Sequence, residues 1–260
     1  MRKRSAWRIT LAAWHALLLR EAVARLFSRR GAFAWLLLEP AAHIGFMLLV
    51  FGLLRTRVIG GMDVVFWLAA GMLAFFLFKR TASQGSAAIG ANLALFTYRQ
   101  VRPADTVLVR CVLEGFLMAL LAVLMIGTLA LLGTPMTLHA PLEVLASVAG
   151  IWLLAVGWSL VVSVASELAP ELANILDMLM TPLMLVSGVV FPLAAIPYPW
   201  REWLMLNPLA HGIEGLRSSL SNYYHDAPGL SLAYLLGSAL FLIFFGLALH
   251  VRFRNRLLAL

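Results

Sequence analysis

FPLAAIPYPW, residues 191–200, interrupts an otherwise very apolar chain. It carries three prolines, no acid and no base. Proline lacks a backbone donor and clashes with the preceding turn, so this stretch is no regular helix. Apolar residues flank it on both sides, and its reading decides the fold. Unpaired backbone at membrane depth survives only where protein buries it or water reaches it.

The composition puts the chain in a bilayer. Hydrophobic residues make up 62% of it, and charged residues 12%. Soluble domains carry about 25% charged residues. The useful unit is then the span of about 20 apolar residues. Six are legible, at about 32–54, 63–82, 106–132, 143–166, 172–190 and 232–251. The formal charge of +8 is read as cytoplasmic loops rather than nucleic-acid binding. A single cysteine, Cys111, excludes an intrachain disulfide and a cysteine metal cluster.

Lysine and arginine set the orientation. With both termini in the cytoplasm, sixteen of the twenty basic residues lie in inside segments. Arg55, Arg57, Arg201 and Arg217 are the four outside. The N-terminus imitates a signal peptide, but cleavage there would invert every loop against this bias. Instead, residues 11–30 read as a helix lying on the inner membrane surface. Glu21, Arg25 and Arg29 share one face, and Leu19, Val23 and Phe27 another.

Three segments carry mechanism. Residues 92–103, NLALFTYRQVRP, bring Phe96, Tyr98, Arg99 and Arg102 together before Pro103. They read as an ordinary basic loop, or as a turn or two of helix ended by the proline that docks into a partner protein. In the fifth span, Asp177 is an intramembrane carboxylate, which ordinarily faces protein or water, and Pro182 is expected to kink the helix. Beyond it, residues 191–222 read as two short helices dipping back into the membrane. Pro192, Pro197 and Pro208 break the backbone, and Trp200 and Trp203 suit the interface.

Together these segments resemble the ABC-2-type permeases, and among them the capsular polysaccharide export permeases of Gram-negative bacteria. YRQVRP at 98–103, SGVVFPLAAIP at 187–197 and WLMLNPLAH at 203–211 carry the resemblance. O-antigen and teichoic-acid permeases share much of this pattern. The resemblance implies a homodimer above two cytoplasmic ATPase subunits. It also implies a channel between the two copies for a lipid-linked polysaccharide, and a periplasmic adaptor and an outer-membrane exporter as partners. ATP and Mg would be bound by the ATPase and no cofactor by this chain. No lysine is followed by Ser or Thr, so the chain lacks a P-loop of the usual form.

The resulting expectation is an all-α integral membrane protein of the bacterial inner membrane. Residues 1–31 would form the cytoplasmic N-terminus with its amphipathic interface helix. Residues 32–252 would form the transmembrane domain, and 253–260 a cytoplasmic tail. No catalytic constellation or metal site is legible, so the chain reads as a non-catalytic permease. Phe96, Tyr98, Arg99, Arg102 and Pro103 would couple it to the ATPase. Arg25, Arg29 and Arg30 would meet a lipid phosphate at the channel entrance. Trp35, Phe46, Phe51, Asp177, Thr181 and Ser187 would line the path. An ion-gradient-driven transporter is the rival of a different class. It would draw on Asp177 and Glu114, but no internal repeat supports it.

Overall fold

The computed structural model describes residues 6–26, 32–53, 58–97 and 101–258. Helix dominates. Helix α1 (Ala6–Leu26) precedes α2 (Ala32–Leu53), which carries Pro40 inside it. A small hairpin, β1 (Val58–Ile59) with β2 (Met62–Asp63), turns on Gly60 and Gly61. Their φ values of 59° and 89° are the left-handed geometry that a two-residue hairpin loop demands. The Asp63 carboxylate then caps α3 (Val64–Ser86), accepting from the amides of Val65 and Phe66 at 2.9 and 3.2 Å.

Helix α3 is the centre of the core. Trp67, Leu68, Met72 and Phe75 are buried in it, and Ile151 and Leu154 of α5 (Pro141–Leu168) are buried with them. Helix α3 runs on to Ser86, past the expected end at residue 82, because its tail is built of small residues. A Cβ on Gly85 would lie 2.8 Å from the sulfur of Cys111 and 2.6 Å from the Cβ of Ser159. The tail thereby lets α3, α4 (Pro103–Leu131) and α5 converge. Helix α5 packs along its length on α10 (Leu232–Arg252). Gly150, Gly157 and Gly246 sit at that contact, where added methyls would meet Leu235, Leu242 and Leu160 at 2.5–2.7 Å. Small residues of this kind let helices approach closely in a membrane.

Among the described residues, α3, α4, α5 and α10 are long and apolar enough to cross a membrane. Two expectations change here. Pro103 does not end a helix; it opens α4, in the first-turn position where its missing N–H costs nothing. The fifth apolar stretch is not one helix but two, α6 (Pro170–Met178) and α7 (Met180–Val186). The break falls at Leu179, ahead of Pro182. Proline disrupts the turn before itself, where its ring meets the carbonyl of residue i−4, here Met178. After α7 come α8 (Trp200–Leu204) and α9 (Pro208–Leu220), then α10 and a final turn, α11 (Arg254–Leu257).

Bulk at the α5–α10 contact is expected to force these helices apart. Overpacking costs about 1–3 kcal/mol, so Gly157→Val is expected to lower the thermal midpoint of the detergent-solubilised protein. The same change at Gly127, where an added methyl meets nothing within 4 Å, is expected to leave it nearly unchanged.

Candidate functional site

Two polar clusters organise the molecule, one at each end of the helical bundle. The first lies where α4 and α5 connect and holds the proline-broken stretch. Arg217 of α9 is wholly buried and stacks on the Trp67 ring, 3.6 Å from its centroid. Its guanidinium donates to the carbonyls of Gly188 and Val189 at 2.7 and 2.8 Å, and to that of Trp67 at 3.3 Å. Glu214, one turn earlier and also wholly buried, lies 3.9 Å from it. The Glu214 carboxylate accepts from the Leu193 amide at 3.3 Å and from the Tyr224 hydroxyl at 2.7 Å. The Trp67 indole donates to that same Tyr224 oxygen at 3.3 Å. Burial, and then the Glu214 carboxylate, push the Tyr224 phenol above its ordinary range, so it stays a neutral donor. Gly71 makes room for the arrangement, since a methyl there would overlap the Arg217 guanidinium.

The motifs 187–197 and 203–211 therefore fold into one unit. Asn207 caps α9 by accepting from the Leu209 amide at 3.0 Å, and its side-chain amide donates to Ser187 Oγ at 2.8 Å. His211 joins Met205 O at 2.7 Å through Nε2 and accepts from the Ser231 amide through Nδ1 at 3.1 Å, tying the unit to the start of α10. Ser187 is consequently buried, with no open face. Trp200 and Trp203 are 66% and 69% exposed, as befits interface residues. Pro192 caps a short 3₁₀ turn, Leu193–Ala195; Pro197 follows it, and Pro208 opens α9.

The second cluster lies where α3 hands over to α4. Glu114 of α4 is wholly buried and pairs with Arg25 of α1 and Arg80 of α3. Arg25 also reaches Glu21 at 3.1 Å and Gln84 at 2.6 Å, and Arg110 reaches Glu21 at 3.1 Å. Arg20 bonds Asn92, which sits in a 3₁₀ turn spanning Gly90–Thr97. Trp14 donates to Asp105 at 3.0 Å, and Asp105 in turn accepts from the Arg102 amide at the cap of α4. The charged face of α1 thus turns into the protein, while Leu19 and Val23 are 51% and 57% exposed.

The remaining expected residues fall as follows. Phe96 is half-buried against a small core that includes Ile89, Val107 and Cys111. Arg102 is exposed and Pro103 buried. Phe46 is exposed on α2. Asp177 and Thr181 are exposed on α6 and α7. Tyr98, Arg99, Arg29 and Arg30, and the side chains of Trp35 and Phe51, lie outside the described residues. Arg217, Glu214, Arg80, Arg110 and Gln84 were not singled out as site residues from the sequence. The available signal was an acid and a base at i,i+3 in α9, and Gln84, Arg110 and Glu114 interrupting apolar helices.

The family model described as ABC-2 type transporter matches residues 13–221. The chain belongs to the ABC-2 type transporter family. It is 31% identical over 95% of both chains to the polysialic acid transport protein KpsM of Escherichia coli. It is 28% identical to the capsule polysaccharide export inner-membrane protein CtrC of Neisseria meningitidis, over 92% of this chain and 89% of the relative. Against the BexB protein of Haemophilus influenzae, likewise a capsule polysaccharide export inner-membrane protein, identity is 24% over 92% and 90%. The ABC-2 match runs through both polar clusters.

The Arg25–Glu114 pair is expected to behave as a coupled unit. Removing one partner leaves the other buried and uncompensated. In a double-mutant cycle, Arg25→Met and Glu114→Met together are expected to destabilise less than the sum of the two singles. A coupling energy of about 1–3 kcal/mol is in the range for contacting residues. Thermal midpoints in detergent measure it.

Proposed function

We propose that this chain is the membrane permease of an ATP-driven exporter of lipid-linked capsular polysaccharide. Two copies would form the path between them. The similarity to capsule export proteins along nearly the whole chain supports the substrate class. The observation that carries the path is a polar stripe on α6 and α7. Glu171, Asn174 and Asp177 recur at i+3 on one side of α6, Thr181 follows on α7, and all are exposed in the single chain. Charged and amide groups inside a membrane rarely face lipid and ordinarily meet water or protein. A stripe of hydrogen-bonding groups that no described residue covers suits a wet interface between two copies. Sugars could slide along it without being gripped. Phe46 on α2 would add an apolar wall.

In this reading six segments cross the inner membrane: α2, α3, α4, α5, the α6–α7 pair and α10. Both termini are cytoplasmic. The exposed Leu19 and Val23 of α1 would rest in lipid. Helices α8 and α9 would form the re-entrant pair on the periplasmic side. The 3₁₀ turn of Gly90–Thr97 and the residues up to Pro103 would meet the ATPase. Because Arg20 holds Asn92 and Arg25 holds Glu114, movement of that turn would reach α1 and α4 together. A lipid phosphate arriving at Arg25, Arg29 and Arg30 would have to compete with Glu21 and Glu114 for Arg25. The ATPase would supply all hydrolysis and bind ATP and Mg. A periplasmic adaptor and an outer-membrane exporter would continue the path.

The native single cysteine makes the path testable. In a Cys111→Ala background, cysteines placed at Asn174, Asp177 and Thr181 are expected to react in intact membranes with a charged, membrane-impermeant thiol reagent. A cysteine at Phe244, exposed on α10, is expected not to react. Equal reactivity at all four positions, or none on the stripe, would remove the path. Co-purification from the native membrane with an ATPase subunit at equal stoichiometry tests the energy source. A well-folded chain that brings no ATPase would contradict the ATP-driven part.

A further inference from the structure

A cavity of about 800 Å³ lies between α3, α4 and α5, in the half of the bundle nearest the α4–α5 connection. We propose that it is a resident-lipid site that holds an acyl chain of a bilayer phospholipid. The proposal requires only that these three helices lie in a membrane and does not depend on the transport reading.

The volume falls within the roughly 300–1,000 Å³ of ligand pockets. The cavity reaches the core, because its walls include the core residues Phe66, Ala74, Met118 and Leu216, each no more than 6% exposed. Small side chains create the space. Ala69 and Ala70 of α3 face Gly115, Ala119 and Ala122 of α4 across it. Gly115 also lets the Nε1 edge of the Trp152 indole approach α4, where a methyl would meet it at 2.6 Å.

The chemistry of the walls selects the occupant. The Trp152 N–H is already spent on the Cys111 carbonyl at 3.0 Å. Among the lining residues only Thr137 carries a hydroxyl. A buried water needs two to four polar partners, so water has no purchase on most of this surface. Left empty, the walls would lose their dispersion contacts on one side. The mouth opens between Val112 and Phe116 of α4 and Leu145 and Val148 of α5, at 43%, 66%, 66% and 36% exposed. These side chains belong to helices long and apolar enough to cross a membrane. What lies at such a mouth in a bilayer is hydrocarbon, and a single acyl chain has the slenderness to enter between helices.

The test uses the full chain in nanodiscs of phosphatidylethanolamine and phosphatidylglycerol, doped with phosphatidylethanolamine carrying a diazirine in its acyl chain. The protein is moved into detergent and washed before photolysis, and adducts are mapped by peptide mass spectrometry. Adducts are expected to persist on residues 112–126 and 144–152 after washing. Those on the α10 face at Phe241 and Phe244 are expected to vanish. Ala119→Leu and Ala149→Leu, which fill the space, are each expected to lose the washed-state adducts. Both variants are expected to keep wild-type α10 labelling before the wash, which shows that they fold and insert. Cavity labelling that washes away as fast as α10 labelling overturns the proposal. So does labelling that survives in both filled variants, and so does a cavity unlabelled even before washing because a second copy covers it.

Discussion

One buried arginine carries the break in this fold. Beyond the last α7-type bonds, at Ser187 and Gly188, residues 189–192 run without helical pairing through an apolar neighbourhood. Carbonyls and amides there have no water to turn to, and each left unpaired would cost several kcal/mol. Arg217 answers for the carbonyls of Gly188 and Val189, and Glu214 for the amide of Leu193. Neither charge is tolerable alone at zero exposure. Together, with Trp67 stacked beneath and Tyr224 closing the ring, they are. Through Arg217 and Glu214 that arrangement ties α9 to the segment that leaves α7.

The cluster at the opposite end obeys the same rule with a different purpose. Glu114 sits wholly buried in α4, and arginines from α1 and α3 converge on it. A buried ion pair is weak evidence of stability, but it is costly to break by halves. It therefore fixes where α1 lies. The helix presents its charges to the protein and its leucine and valine outward, which is the inverse of a helix packed on a soluble core.

Much of the helical layout was legible because a bilayer simplifies the reading: about 20 apolar residues make a crossing candidate. The errors were local. Pro103 looked like a stop and is a start, since proline serves both roles and only the cap at Arg102 and Asp105 decides. Pro182 correctly signalled a disturbance, but the break lies one turn upstream at Leu179. The α1 periodicity placed Glu21 and Arg25 on one face, yet periodicity does not say which face meets protein. Arg217 was counted as a loop charge. Its partner Trp67 lies 150 residues away, and no local pattern links them. Ser187 was expected on an open face, and the Asn207 contact that turns it inward is equally invisible in the sequence.

The most direct test of the account is hydrogen exchange across residues 187–196 in the purified chain and in Arg217→Lys. Lysine keeps the charge but lacks the planar fork that serves several carbonyls and stacks on an aromatic ring. The account predicts that this segment loses protection in the variant while α5 and α10 keep theirs. Unchanged protection of residues 187–196 would contradict it, and would mean that the broken stretch is held by something other than Arg217.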